Sequence, residues 1–246
     1  MKAILSIIVT ILVLYSGYAQ SPEQRKTIDS FRSLLSEKQS DTLLVLRMAE
    51  IAKLYGDEKP DSLLILSMEP LLLAKKIGYQ RGIALLLSRQ AGAYAAIGNK
   101  AKALELYLDA IRISEKINDL ENLHWANNGI GNIYSNEDPR KALVYHWKAK
   151  ELAEQIGSKD GQIQVLYNIG GDYRKLKVYD SAKMYTMTSF DMASALNSHR
   201  MMGAPMYGMG MIYTATDQPS LALEHFRTGA FYCESAKNYN FLSRIY

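Results

Sequence analysis

The chain has 246 residues, 48% of them hydrophobic and 22% charged, with a formal net charge of +4 at pH 7. That balance fits a packed domain or repeat array and excludes an intrinsically disordered chain. Lys and Arg are scattered among Asp and Glu with no basic, aromatic-interleaved run, which argues against a nucleic-acid groove, and the lone Cys233 excludes an intramolecular disulfide.

Residues 1–19, MKAILSIIVTILVLYSGYA, predict a signal peptide. Lys2 supplies a positive start, Ala3 to Tyr15 form a short apolar run, and Gly17 and Ala19 are small where a signal peptidase reads. Cleavage is expected between Ala19 and Gln20, giving an exported, periplasmic or extracellular protein. The alternative is retention of this segment as a membrane anchor. Residues 20–40 predict an amphipathic helix, starting at Ser21-Pro22-Glu23-Gln24 and carrying the stripe Ile28, Phe31, Leu34, Leu35.

From residue 41 to 240 the pattern is helix pairs. They are expected at Asp41–Tyr55 with Asp61–Ile77, Gln80–Ala96 with Asn99–Ile117, and Leu120–Ser135 with Asp138–Ile156. Two more follow, Asp160–Lys177 with Tyr179–Leu196 and Arg200–Thr216 with Gln218–Lys237. Asp57, Gly78, Gly98-Asn99, Asn118-Asp119, Gly157, Asn197 and Asp217 punctuate them, and Asp138 with Pro139 reads as an N-cap followed by proline in the first turn. Pro70 and Pro205 fall within predicted helices, where a kink or irregularity is expected.

The pairs repeat in register. Tyr55, Tyr94, Tyr134, Tyr173 and Tyr213 are 39, 40, 39 and 40 residues apart, and the residues three before them are Ala52, Ala91, Gly131, Gly170 and Gly210. Ala103, Ala142, Ala182 and Ala222 mark the second helices, followed seven residues on by Ala110, Ala149, Ser189 and Gly229. Small residues at fixed intervals let helices approach closely, and the tyrosines fill what is left. Phe241 to Tyr246 begins a sixth first helix whose anchor tyrosine would fall beyond the terminus. The expectation is a fragment of a longer protein; the alternative is an open end covered by a partner or a second copy.

The spacing of Gly131, Tyr134, Ala142, His146 and Ala149, and the run Leu166-Tyr167-Asn168-Ile169-Gly170-Gly171-Asp172-Tyr173, resemble the tetratricopeptide repeat. The 39–40-residue unit is longer than the usual 34 and is similar to the variant in kinesin light chain and bacterial sensor proteins. The resemblance implies an all-α, right-handed superhelical solenoid of about five antiparallel helix pairs. DTLLVLRMAEIAKLYGDEKPDSLLIL with the following units resembles the extracytoplasmic input region of bacterial sensor kinases and regulators, which implies a sensory role.

Chemistry is sparse. His124, His146, His199 and His225 lack metal-ligand spacing, and His146 occupies an aromatic slot, so packing accounts for it. Cys233 and His225 form no legible nucleophile pair, and Cys233 reads as a small core residue. Walker, dinucleotide and G-x-S-x-G motifs are absent, so neither an enzyme nor a cofactor is expected. Eight of the eleven methionines lie between Met184 and Met211. Core filling is the simpler reading. Soft-metal, Cu(I), or small-ligand binding is the alternative, and a Met-lined groove for a partner helix is a third.

The resemblance places a binding groove on the first helices. Positions three before and one and four after the register glycine give Asn128, Asn132 and Ser135; Tyr167, Gly171 and Arg174; and Tyr207, Met211 and Thr214. Asn128, Asn132, Tyr167, Arg174 and Tyr207 are the candidate contacts to a protein or peptide, Asn through amide hydrogen bonds and Arg174 through a carboxylate.

Overall fold

The computed structural model describes residues 40–56 and 59–236. The signal segment, most of the 20–40 helix, and the start of a sixth repeat lie outside the described residues. Every described element is an α-helix: α1 (Asp41–Gly56), α2 (Pro60–Lys76), α3 (Gln80–Ala96), α4 (Lys100–Ile117), α5 (Leu120–Tyr134), α6 (Pro139–Gln155), α7 (Lys159–Lys175), α8 (Tyr179–Ala195), α9 (His199–Ala215) and α10 (Pro219–Ser235). This is the all-α helix-pair repeat expected from the periodicity. The chain divides into two compact units, Met1–Ala103 and Leu104–Tyr246.

In the first unit α1 packs on α2 and α2 on α3. Val45, Ala49 and Ala52 of α1, Leu63 and Ala74 of α2, and Leu86 and Ala91 of α3 are buried there. A buried hydrogen bond from Gln90 Nε2 to Ser67 Oγ (2.9 Å) ties α3 to α2. Helix α2 continues through Pro70, and α9 through Pro205; neither proline ends its helix.

In the second unit α6 packs on α5 and α7, α8 packs on α7 and α9, and α10 packs on α9. The register glycines explain how. Space beside Gly131 is taken by the His146 ring, beside Gly170 by Thr186, and beside Gly210 by the Phe226 ring. His146, Thr186 and Phe226 are equivalent positions, each four residues past a buried alanine, Ala142, Ala182 or Ala222. A missing side chain on one helix thus receives a full one from its partner, as close packing requires. The anchor tyrosines close the same junctions by stacking: Tyr134 on Tyr145 (centroids 6.0 Å, 16° between planes), Tyr173 on Tyr185 (5.4 Å, 12°) and Tyr213 on His225 (5.1 Å, 17°). Such pairs contribute about 0.5–1.5 kcal/mol beyond area burial.

Chain reversals follow a beat of about twenty residues. Gly78, Gly98, Asn118, Gly157, Lys177, Asn197 and Asp217 all have positive φ, between 50° and 86°. After each, the next amide donates back five residues to the preceding helix, as from Val178 N to Tyr173 O (2.9 Å), the bond that satisfies an orphan carbonyl at a helix end. The α5–α6 junction differs. It has no left-handed residue, and the Asp138 carboxylate caps α6 by accepting from Lys141 N (3.0 Å), with Pro139 in the first turn as expected.

Two substitutions test this account. Gly170→Ala drives a methyl into Thr186 and toward the Ala182 carbonyl, 3.1 Å from the new Cβ; a loss of about 1–3 kcal/mol is expected in urea unfolding. Lys177→Gly relieves a non-glycine residue at φ 61° and should gain about 1 kcal/mol in the same assay.

Candidate functional site

One face of α7 carries Tyr167, Gly171 and Arg174, four and then three residues apart and therefore in line on a helix. Tyr207 and Met211 of α9, again four apart, stand opposite. Together with Gly170, Thr186, Gly208 and Ile212 they line a pocket of about 160 Å³. The Tyr167 ring lies against Gly208, whose Cβ would sit 3.0 Å from Cε2, and the Tyr207 ring packs on Phe226 (5.4 Å). The lining therefore combines two tyrosines, the Met211 thioether, the bare backbone of Gly171 and the cationic Arg174. Arg174 is half-buried and makes no hydrogen bond or ion pair with any described residue.

The carboxylate nearest to Arg174 in sequence, Asp172, is engaged elsewhere. Asp172 is fully buried. Its Oδ2 meets His146 Nδ1 at 2.6 Å, and its Oδ1 accepts from the Ser135 hydroxyl. Lys175 Nζ donates to Ser135 Oγ (2.6 Å), and His146 Nε2 lies 3.1 Å from Asn132 Oδ1. The result is a continuous chain, Lys175–Ser135–Asp172–His146–Asn132, joining α5, α6 and α7. Burial lowers the Lys175 pKa below the usual lysine value; Asp172 opposes that shift and Arg174 adds to it. The chain contains Ser, His and Asp but not in catalytic order: aspartate, not histidine, bonds the serine, so no imidazole base faces the hydroxyl.

No protein-family model matches the chain, and no curated protein matches it by sequence. Solved structures do match in shape. BtubC (BKLC) from P. vanneervenii aligns at TM-score 0.67 and 18% identity, over 88% of this chain and 90% of that one. A Signal Transduction ATPase with Numerous Domains from Pyrococcus horikoshii, which has a tetratricopeptide repeat sensor, aligns at 0.67 and 21%, over 82% of this chain and 31% of that one. NprR, solved with its cognate peptide NprX, aligns at 0.66 and 20%, over 91% of this chain and 64% of that one. The fold is that of a tetratricopeptide-type helical repeat.

On this tetratricopeptide-type scaffold the five groove residues expected from sequence separate into two groups. Tyr167, Arg174 and Tyr207 come together at the pocket, with Gly171 and Met211 from the same register. Asn128 lies outside that pocket: it is 3% exposed, and its Oδ1 accepts from Asn168 Nδ2 of α7 (2.9 Å). Asn132 is exposed but belongs to the His146 chain. Met202, Met206 and Met209 are buried in the core clusters, as core filling requires, while Met184 is 52% exposed and Met211 lines the pocket. Cys233 is buried beside Gly203, and burial raises its thiol pKa. His124 is buried as well, bonded through Nδ1 to the Ala149 carbonyl (2.8 Å), and burial lowers its pKa.

The His146–Asp172 link escaped the sequence reading, which assigned His146 to packing alone. A signal was present: the residue two after the register glycine is Ile133 in one unit and Ile212 in another, but Asp172 between them. A carboxylate in an apolar slot must find a partner. Removing one member of such a pair strands the other. His146→Phe should therefore cost about 3–5 kcal/mol in thermal or urea unfolding. The double variant His146→Phe with Asp172→Ile, which installs the residues found at Phe226 and Ile212, should recover most of that loss.

Proposed function

We propose that this chain is an interaction module that holds an acidic peptide or protein segment in the groove between α7 and α9. The observation that carries this reading is Arg174, a half-buried cation with no described partner, lining a pocket together with Tyr167, Tyr207 and Met211. A guanidinium in that position offers a planar fork to a carboxylate, and the partly desolvated surroundings strengthen the contact. The helices carry the pocket rigidly, so little ordering entropy opposes binding. Structures of similar fold give general support: NprR was solved with its cognate peptide, and a Rap protein with Competence and Sporulation Factor (TM-score 0.66, 14% identity). With residues 1–19 read as an export signal, the module works outside the cytoplasm, as a sensory input or a scaffold.

The test is selection from a library of random twelve-residue peptides. The purified chain should enrich peptides bearing Asp, Glu or a free terminal carboxylate, and Arg174→Gln should remove that enrichment while leaving the melting temperature within about 2 °C, because the side chain it alters bonds no described residue. Enrichment that survives Arg174→Gln, or that favours basic peptides, would overturn the assignment.

A further inference from the structure

We propose that Gly171 is a specificity-determining residue of this groove, keeping a side-chain-sized niche against the α7 backbone for a ring or branched apolar group whose carboxylate meets Arg174. The inference rests on the groove reading above and adds the ligand's chemistry to it.

Glycine inside a helix needs a reason, since it is about 0.5–1 kcal/mol less favourable there than alanine. Between residues 104 and 236 the other helical glycines each have one, because a Cβ would meet a neighbour. Gly129 faces Tyr107, Gly131 faces His146, Gly161 faces His124, and Gly170 faces Thr186. Gly203 faces Cys233, Gly208 faces Tyr167, Gly210 faces Phe226, and Gly229 meets the Gly203 carbonyl. Gly157 has a positive φ of 67° at a turn. Gly171 has neither reason: its φ is not in the left-handed region, and a Cβ built on it meets no atom within 4 Å. Nor does the register require glycine: the equivalent residues are Lys53, Gly92, Asn132 and Met211, so three of the four other units carry a side chain there. What the missing side chain does provide is volume in the pocket, between Tyr167 and Arg174 on one helix face.

The size of that volume selects the occupant. At about 160 Å³ it matches a cavity of roughly 150 Å³ that accepts benzene and falls short of the roughly 300 Å³ at which drug-sized sites begin. One ring or one branched side chain fits; a folded ligand does not. Aromatic and thioether walls suit an apolar body, while Arg174 fixes the acidic end. The shared chemistry is an apolar group carrying a carboxylate on a short arm. A peptide's C-terminal Phe or Leu presents it, and so does a free aryl acid.

The experiment titrates the full chain by NMR with four probes: acetyl-Gly-Gly-Phe with a free carboxylate, its C-terminal amide, acetyl-Gly-Gly-Gly, and 3-phenylpropanoate. The free-acid Phe peptide should bind at least about tenfold more tightly than the amide or the triglycine, in line with loss of an ion pair or of a buried ring. Gly171→Ala should weaken it about tenfold or more, as filling a packed site by one methyl does, while the melting temperature holds or rises, because the methyl meets no protein atom. Binding of 3-phenylpropanoate equal to that of the peptide assigns the niche to free acids; tighter peptide binding assigns it to chain ends. Gly171→Ala binding the Phe peptide like the parent, or the triglycine binding equally well, overturns the role of Gly171 but leaves the acidic-groove reading to the Arg174→Gln selection. A Gly171→Ala variant with a lowered melting temperature overturns it too, by showing that the glycine serves packing.

Discussion

The second unit depends on one steric exchange, repeated within each of the pairs α5–α6, α7–α8 and α9–α10. A first helix gives up a side chain at Gly131, Gly170 or Gly210, and the second helix fills the gap with His146, Thr186 or Phe226. Because the filling residue differs in size and polarity, each junction has its own chemistry on a common frame. Phe226 makes an apolar contact, Thr186 a compact one, and His146 extends into a hydrogen-bonded chain. Backbone spacing is held by the glycine, leaving the opposing residue free to vary. The exchange also places α7 close enough to α9 for their outward faces to share a pocket.

Polar groups occur where that frame is interrupted. Asp172 stands in a slot the two adjacent repeats fill with isoleucine, and its burial is compensated by two direct partners, His146 and Ser135, with Lys175 and Asn132 completing the line. Because Asp172 is occupied, Arg174, two residues on and facing the next pair, is left without an internal carboxylate. The cation at the groove and the buried pair are thus linked: the acid nearest in sequence has been drawn to the opposite side of α7.

Much of this was legible in the sequence. The period of 39–40 residues, the small positions and the stacked tyrosines are local steric requirements, so they leave a direct imprint on residue type, and the helix pairs fall within a few residues of their expected bounds. Tyr167, Arg174 and Tyr207 could be placed on one groove by register alone. Asn128 could not be judged the same way, because whether a groove position is open depends on how far the next helix leans over it, a tertiary quantity. Lys177 was missed as a turn residue since lysine gives no sign of accepting a left-handed backbone. His146 shows the limit most clearly: its slot suited an aromatic, so shape explained it, and Asp172 at an apolar register position signalled a buried partner without saying which residue supplied it.

The His146–Asp172 contact has a consequence for how such an array can change over time. Units alike in backbone are free to duplicate, drop out or swap order where their seams are interchangeable. Here one seam is keyed. Any rearrangement that separates the unit bearing His146 from the one bearing Asp172 confronts a buried charge with the wrong neighbour. The third and fourth units are therefore bound to travel together as a single heritable block.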